Sequence, residues 1–228
     1  MINVYFISGI GGDSRLFKHI QLPAGFQVRY VDWINPEKKE PLPGYALRLT
    51  AQIDLQQPFV LVGMSLGGIM AVEIAKRYPP VATVLIGSIP VSSHLPGYYT
   101  VAGRLRLADL LPPSFFKMTA RLKRLLTREK NEDKDMIREV IRDGDPWFIK
   151  WGLKAVLEWR NEEIPQPFWH IHGTRDEVFP IWFTKPSHVI PKGGHMLVIN
   201  HAAEVNRILA EILPHYLPSG IFSANTAR

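Results

Sequence analysis

Three side chains in this sequence could together carry out nucleophilic chemistry. Ser65 is the centre of the segment Gly63-Met-Ser65-Leu-Gly67, while Asp176 and His195 stand beside glycines much later in the chain. A serine hydroxyl is a weak nucleophile at neutral pH and needs an adjacent base, which a third group has to orient. We therefore predict that Ser65 attacks a carbonyl group, that His195 accepts and later returns its proton, and that Asp176 fixes the histidine tautomer.

The segment around Ser65 predicts a sharp turn between a strand and a helix. An apolar run, 59–62, precedes it, and a helical pattern, 69–77, follows it. Glycines at 63 and 67 suit a turn too tight for side chains to pass, which would hold Ser65 in a strained conformation with its hydroxyl outward. The alternative is a glycine-rich turn that contains a serine by chance, and the strand–turn–helix context argues against it.

Backbone N–H groups near Ser65 would be needed to stabilise a negatively charged oxygen during such a reaction. A helix beginning after Ser65 directs N–H groups and a partial positive charge at this point, so we predict the N–H of Leu66 as one donor. The glycine-rich segment 8–12 supplies the other, for which we predict the N–H of Ile10. Loss of one such donor typically costs about 2.7–4 kcal/mol of transition-state stabilisation.

Other residues compete for two of these roles. Glu177 adjoins Asp176 and could replace it as the orienting carboxylate, although we favour Asp176. Five further histidines are expected to be structural or exposed, namely His170, His172, His188, His201 and His215. His170 and His172 alternate along an apolar run, as metal ligands can, but no third ligand stands at a suitable spacing. We predict no metal and no cofactor.

Apolar runs and helical patterns alternate along most of the chain. Strands are predicted at 4–7, 27–32, 59–62, 81–87, 168–173 and 188–190, with helices at 45–54, 65–78 and 202–213. Continuous apolar strands separated by helices favour a parallel sheet covered on both faces. Because the loops at the carboxyl ends of parallel strands share one edge of the sheet, Ser65, Asp176 and His195 can meet there.

The alternation stops between Val91 and Glu163, where the sequence is charged, aromatic and helical. Helices are predicted there at 104–111, 114–128, 133–142 and 147–160. We therefore predict a core of residues 1–90 and 164–228 and a helical insertion of residues 91–163. For contacts with a substrate we predict Met64 and Met196, which adjoin Ser65 and His195, and Trp147 and Trp151 of the insertion.

Composition excludes several classes of protein. A chain of 228 residues with 46% hydrophobic and 21% charged residues is typical of one soluble domain with an insertion. No apolar stretch approaches the roughly 20 residues that span a bilayer, and the first residues do not resemble a signal peptide. The absence of cysteine excludes disulfides and thiol catalysis, and we expect a cytoplasmic protein.

The net charge of +6 could indicate an anionic partner. Basic residues concentrate between Lys117 and Lys130, which could attract an acidic substrate or a membrane surface. A solvated helix face is the simpler interpretation, because acidic residues follow directly at 132–135. No nucleic-acid-binding module is present, so no nucleic-acid partner is predicted. No oligomeric state is predicted.

These motifs together resemble the α/β-hydrolase superfamily. The matching pieces are 63–67 as the nucleophile turn, Gly173-Thr-Arg-Asp176 as the acid loop and Gly194-His195 as the base loop, in the chain order that family uses. The resemblance covers nearly the whole chain. It implies a three-layer α/β fold with a mostly parallel sheet of about six strands and a helical cap, residues 91–163, over the active site.

Two features depart from that family's pattern. Many relatives have His-Gly where this chain has Ser8-Gly9, which bears on the geometry at Ile10. The chain also begins with the strand that leads into this loop, so the first two strands of larger relatives are not expected.

The resemblance leaves three functions open. The first is hydrolysis of small carboxylic esters or thioesters through an acyl-serine intermediate, with a small acyl ester as substrate. The second is C–C bond cleavage or a lyase step, in which basic residues of the cap, Arg104, Arg106, Arg121 and Arg124, would hold an anionic substrate. The third is a ligand-binding protein in which the three residues no longer catalyse. We favour the first.

Overall fold

One sheet of six parallel strands organises the chain. The structure is a computed structural model, and it describes residues 1–105, 112 and 131–218. The strands are β1 (Ile2–Ile7), β2 (Phe26–Val31), β3 (Phe59–Met64), β4 (Ala82–Ile86), β5 (Phe168–Gly173) and β6 (His188–Ile190). Their order in the sheet is β2-β1-β3-β4-β5-β6, and every neighbouring pair is parallel. All six strands predicted from the sequence are confirmed.

Helices connect the strands and cover both faces of the sheet. They are α1 (Leu42–Leu49), α2 (Leu66–Arg77), α3 (Gly97–Arg104), α4 (Asn131–Asp143), α5 (Pro146–Glu158), α6 (Leu197–Asn200) and α7 (Ala202–Ile212). Short 3-10 helices lie at Ser14–Phe17, Thr50–Gln52, Ser92–His94, Ile181–Phe183 and Leu213–Tyr216.

Two predicted helix boundaries were wrong. The helix predicted at 45–54 begins earlier, at Leu42, because a proline such as Pro43 is tolerated in the first helical turn. It ends at Leu49 and continues as the 3-10 turn Thr50–Gln52. Helix α3 ends at Arg104, and most of the predicted helix 104–111 lies outside the described residues. The predicted helix 114–128 and the whole basic cluster between Lys117 and Lys130 lie outside the described residues.

Alternate side chains of the strands form two apolar layers. In β1, Val4 and Phe6 belong to one layer, and Tyr5 and Ile7 belong to the other. The first layer includes buried side chains of α4, α6 and α7, and the second includes those of α1, α2 and α5. Since α4 and α5 contribute to different layers, the chain between β4 and β5 packs against the core on both sides of the sheet. That residues 91–163 form a separate cap stays a prediction.

A buried carboxylate joins α2 to the segment that follows α5. Glu73 is 5% exposed, and its side chain accepts hydrogen bonds from Trp159 Nε1 at 2.8 Å and Lys76 Nζ at 2.9 Å. The same Lys76 ammonium donates to Asn161 Oδ1 at 3.0 Å. A buried charge is costly unless it is paired and hydrogen-bonded, so these partners make the position tenable. The link fixes the far end of the helix that begins at Ser65.

Candidate active site

Four loops meet at the carboxyl edge of the sheet. They follow β1, β3, β5 and β6, and they carry the segment 8–12, Ser65, Asp176 and His195. Because all strands are parallel and β1, β3 and β5 lie within four neighbouring positions of the sheet, these loops face one another. The structure brings together the three residues that the sequence nominated.

Ser65, His195 and Asp176 form a continuous hydrogen-bonded row. His195 Nε2 lies 2.9 Å from Ser65 Oγ, and His195 Nδ1 lies 2.9 Å from Asp176 Oδ2. Because a carboxylate oxygen only accepts, Nδ1 carries the proton and donates to Asp176. The neutral imidazole therefore presents the lone pair of Nε2 to the Ser65 hydroxyl. This is the proton arrangement in which a histidine can act as general base toward a serine.

Ser65 has a strained backbone at the turn between β3 and α2. Its φ of 54° and ψ of −122° lie in a region that residues with a side chain rarely adopt. Two contacts hold it there: its N–H donates to the Ile86 carbonyl at 3.1 Å, and Ser88 Oγ donates to its carbonyl at 2.6 Å. A methyl group at Gly67 would overlap the carbonyl oxygens of Ile7 and Ser8. Only glycine therefore allows this close approach of the two loops.

Asp176 is buried and held by several donors. Its side chain has no exposed surface, and its Oδ1 accepts from the N–H groups of Val178 and Phe179, each at 2.9 Å. Burial alone would raise the pKa of this carboxyl, but the bond from His195 and the Phe179 N–H outweigh it, and the pKa lies below its usual value. The carboxylate bonded to His195 is thus that of Asp176, and Glu177 is its neighbour in the loop.

The segment after β1 passes beside the serine. A Cβ atom at Gly9 would lie 3.3 Å from Ser65 Cβ, so the backbone of this loop runs against the nucleophile. Ser8 is buried, and its hydroxyl donates to the Gly12 carbonyl at 2.9 Å, closing the loop upon itself. Trp33 Nε1 donates to the Gly9 carbonyl at 3.3 Å from the other side. Ser8, which departs from the His-Gly of many relatives, therefore acts within the loop as a brace.

Leu66 and Ile10, the predicted oxyanion donors, both have side chains that lie against helix α5. Leu66 is the first residue of α2, and the first N–H groups of a helix have no acceptor within it. Gly152 of α5 lies against both side chains: a Cβ there would be 2.8 Å from Ile10 Cδ1 and 3.1 Å from Leu66 Cδ2. Helix α5 thus packs against the side chains of both residues, and their role as oxyanion donors stays a prediction.

Gly87 and Ser88 belong to the site although sequence reasoning missed them. Gly87 has φ of 53°, and a Cβ there would lie 3.3 Å from Asp176 Oδ2 and 3.1 Å from the carbonyl oxygen of His195. A side chain at this position would therefore push the acid and base loops apart. The signal that could have identified these two residues is the Gly-Ser pair at the end of the apolar run of β4. The other loops of the site also directly follow the carboxyl ends of their strands.

The predicted substrate contacts are placed as follows. Met64 is 1% exposed and lies in an apolar layer, while Met196 is half-buried at the start of α6. Trp147 is 71% exposed at the start of α5. Trp151 packs on Tyr45 with ring centres 4.3 Å apart, and its Nε1 donates to the Glu40 carbonyl at 3.1 Å. Substrate binding by these four residues stays a prediction.

The remaining expectations from the sequence concern an anionic substrate, a metal ion and a membrane span. The side chain of Arg104 and residues Arg106, Arg121 and Arg124, named for an anionic substrate, lie outside the described part of the structure. Within the described ranges, no group of three or more His, Asp or Glu side chains is arranged to hold a metal ion. No helix in those ranges has the length and apolarity to cross a membrane.

His170 and His172 are buried on β5 behind Asp176. Both have no exposed surface, and burial lowers the pKa of each, that of His170 to about 3. Both are therefore neutral in the folded protein over the physiological range. The sequence predicted that these two histidines are structural or exposed, and the structure places both in the core.

This burial predicts loss of stability in mild acid. An unfolded histidine has a pKa of about 6.5, above the folded value of His170, so only the unfolded chain takes up the proton below that pH. This stabilisation is complete above about pH 6.5. Below that pH, the free energy of unfolding falls by about 1.4 kcal/mol per pH unit for each histidine kept neutral, as the pH drops toward 3. Urea unfolding at pH 7, 6 and 5 measures this slope. His170→Phe should flatten it, whereas His215→Gln, at an exposed site, should not; equal slopes in all three proteins would contradict the prediction.

Comparison with known proteins agrees with the fold. Residues 4–208 match the sequence model of the alpha/beta hydrolase family, and the chain therefore belongs to that family. The three-layer architecture with six parallel strands, implied by the motifs, is confirmed. A search of curated protein sequences finds no significant match.

Solved structures with the same fold include several esterases. A thermophilic esterase from Thermogutta terrifontis has a TM-score of 0.74 and 20% identity, with 95% of this chain and 90% of that one covered. MenH from S. aureus has a TM-score of 0.71 and 17% identity, with 94% of each chain covered. The esterase EaEST from Exiguobacterium antarcticum has a TM-score of 0.71 and 14% identity, with 95% and 92% covered. At these identities the likeness concerns the fold.

Proposed function

We propose that this chain is a serine hydrolase that cleaves small carboxylic esters or thioesters through an acyl-serine intermediate. The observation that carries the proposal is the row Ser65–His195–Asp176, with both hydrogen bonds at 2.9 Å and the lone pair of His195 Nε2 directed at the serine. Membership of the hydrolase family and the esterases among proteins of the same fold support it.

The reaction follows from this geometry in two steps. Ser65 Oγ attacks the ester carbonyl carbon while His195 Nε2 takes its proton; the tetrahedral intermediate then expels the alcohol, which receives that proton from Nε2. Water attacks the acyl-serine by the same route, and the acid leaves as Ser65 regains its proton. Asp176 stays ionised throughout and stabilises the imidazolium, in keeping with its lowered pKa.

The N–H groups of Ile10 and Leu66 are the proposed donors to the oxyanion. Leu66 adds the positive end of α2, and Ile10 is held by the braced loop between Ser8 and Gly12. Donors fixed in advance need not reorganise as charge develops on the oxygen, which is why such sites accelerate acyl transfer.

Helix α5 supports the interpretation of residues 91–163 as a cap. Its Gly152 touches the side chains of Ile10 and Leu66, so this helix contributes a wall beside the proposed oxyanion site. Substitutions on the neighbouring turns of α5 are therefore expected to change which acyl groups are accepted. A small-molecule acyl ester is the proposed substrate.

The test is covalent labelling of the intact protein by a fluorophosphonate, followed by peptide mass spectrometry. We expect a single adduct on Ser65 and turnover of p-nitrophenyl esters and acyl thioesters, with a preference that depends on acyl length. Absence of both labelling and turnover would favour a ligand-binding protein. Turnover without an adduct or acyl-enzyme on Ser65 would favour cleavage chemistry of another kind.

A braced oxyanion loop predicts an effect of Ser8→Ala. The change removes the hydrogen bond to the Gly12 carbonyl and leaves a buried acceptor unpaired, which costs on the order of 1–2 kcal/mol. If the lost hydrogen bond displaces the Ile10 N–H, kcat for p-nitrophenyl acetate should fall about tenfold with little change in KM. Ser14→Ala, on the adjoining 3-10 helix, is the matched control. Equal kcat in both variants would show that the brace does not position the Ile10 N–H.

A further inference from the structure

A chain of two buried histidines lies directly behind the carboxylate. His170 and His172 are two residues apart on β5, so their side chains lie on the same face of the strand. His170 Nε2 lies 3.0 Å from His172 Nδ1, and His172 Nε2 lies 2.7 Å from the Phe179 carbonyl oxygen. Neither has a direct contact with Ser65, and the mechanism above does not use them.

The partners of this chain determine where its protons lie. The Phe179 carbonyl can only accept, so His172 Nε2 carries a proton and donates it. A neutral His172 then has a bare Nδ1, which must accept, so His170 Nε2 carries the second proton. This leaves His170 Nδ1 without a proton. Among the described residues that atom makes no hydrogen bond of acceptable geometry, and the nearby Ser88 carbonyl favours protonation of the ring less strongly than burial opposes it. When both histidines are neutral and protonated on Nε2, each hydrogen bond of the row His170–His172–Phe179 has one donor and one acceptor.

The end of this chain is the turn that holds the acid. Phe179 accepts from His172 through its carbonyl and donates to Asp176 Oδ1 through its N–H, at 2.7 and 2.9 Å. His172 Nε2 also lies 3.5 Å from Asp176 Oδ2, the oxygen closest to His195. The His172 ring thus contacts both the turn 176–179 and the carboxylate that is bonded to His195.

We propose that His172 is a positioning residue for Asp176, acting as a neutral donor to the Phe179 carbonyl, which sets its tautomer, with His170 as the matching donor to its Nδ1. This inference rests on the proposed function, since it assigns the residue that aligns the acid of that site. It also gives a reason for two adjacent buried histidines on a strand that could otherwise be filled with apolar side chains.

The surroundings of the pair require it to remain neutral. The charged and titratable groups that face His172 are Asp176 and His195, and those that face His170 are His172, His94 and Asp176. A second proton on His172 would sit on Nδ1, opposite the N–H of His170, and would break the chain. The carboxylate favours that proton, but complete burial opposes it more strongly.

The decisive experiment compares His172→Phe with His172→Gln in the intact protein. Phenylalanine removes the donor, whereas the Gln amide N–H can reach the position of Nε2. We expect kcat on a p-nitrophenyl ester to fall between about 10- and 100-fold in His172→Phe, in line with the cost of a displaced catalytic group, with KM nearly constant. Glutamine should restore most of kcat. The acid limb of the kcat/KM profile should move to lower pH in His172→Phe, because His195 loses an aligned carboxylate.

Spectroscopy of the wild-type protein provides a second readout that needs no variant to fold. Imidazole nitrogen shifts should show both His170 and His172 as neutral Nε2–H tautomers from pH 5 to 8. An imidazolium or an Nδ1–H tautomer at His172 would overturn the proposal. So would a lower melting temperature in His172→Phe with unchanged kcat and pH profile, which indicates packing alone.

The outcome separates this inference from the proposed function. If wild-type turnover depends on Ser65 but is insensitive to the donor at 172, only the positioning role fails. If turnover does not depend on Ser65, the proposed function fails, whatever tautomer His172 shows. His215→Gln, at an exposed site, controls for loss of a histidine as such.

Discussion

Ser65→Ala is expected to lower kcat for a p-nitrophenyl ester by about 10⁶-fold, the scale on which the nucleophile of a serine hydrolase acts. In the proposed reaction the hydroxyl forms the acyl bond, and Nε2 of His195, 2.9 Å away, takes its proton. Residual activity of about 10³-fold over water is expected from the oxyanion donors and substrate binding. The measurement is steady-state turnover, with fluorophosphonate labelling as the second readout.

A double variant makes this expectation sharper. Because the members of such a row act as a unit, Ser65→Ala combined with His195→Ala should be scarcely slower than Ser65→Ala alone. Ser14→Ala, at a nearby serine outside the row, should keep wild-type turnover. Labelling or turnover preserved in Ser65→Ala would remove this serine from the reaction.

Asp176→Asn is expected to lower kcat by about 10⁴-fold. The N–H groups of Val178 and Phe179 both point at Oδ1, so the new amide oxygen should stay there and the NH₂ group should face His195 Nδ1. That nitrogen would then have to accept, which moves the imidazole proton to Nε2 and directs an N–H at the Ser65 hydroxyl. His195 would then carry its proton on Nε2 and could not accept the proton of the Ser65 hydroxyl.

Glu177→Gln is the matched control for that variant. It changes the neighbouring carboxylate in the same way, and turnover should stay within about twofold of wild type because Asp176 keeps its bonds to His195. Assay at several pH values detects any rescue of Asp176→Asn at high pH, where hydroxide competes with the general base. Equal losses in the two variants would contradict the assignment of the acid.

The sequence was sufficient to nominate the three side chains of the hydrogen-bonded row because local rules constrain them. Gly63 and Gly67 mark a turn where backbone atoms touch, and apolar runs of three to seven residues mark buried parallel strands. Parallel strands carry their following loops to one edge, which is enough to bring Ser65, Asp176 and His195 together without knowledge of their contacts. Choosing Asp176 over Glu177 needed the hydrogen bond that the structure provides.

Other features depend on packing between distant segments and left weaker signals. Gly87 looked like the end of an apolar run, yet its missing side chain makes room for the acid and base loops. His172 was indistinguishable from a core histidine until its bond to Phe179 was known. Trp151 stays a predicted substrate contact, and its Nε1 donates to the Glu40 carbonyl, a contact between residues 111 apart in sequence that the sequence did not indicate.

The bond between Glu73 and Trp159 bears on how this enzyme could be redesigned. Exchanging the helices between β4 and β5 for those of another hydrolase is an obvious route to new specificity. A cut made after 161 would discard Trp159 and Asn161, the partners of Glu73 and Lys76 outside the helix that follows Ser65. A graft whose downstream junction lies before Trp159 keeps that anchor, and with it the alignment of the serine.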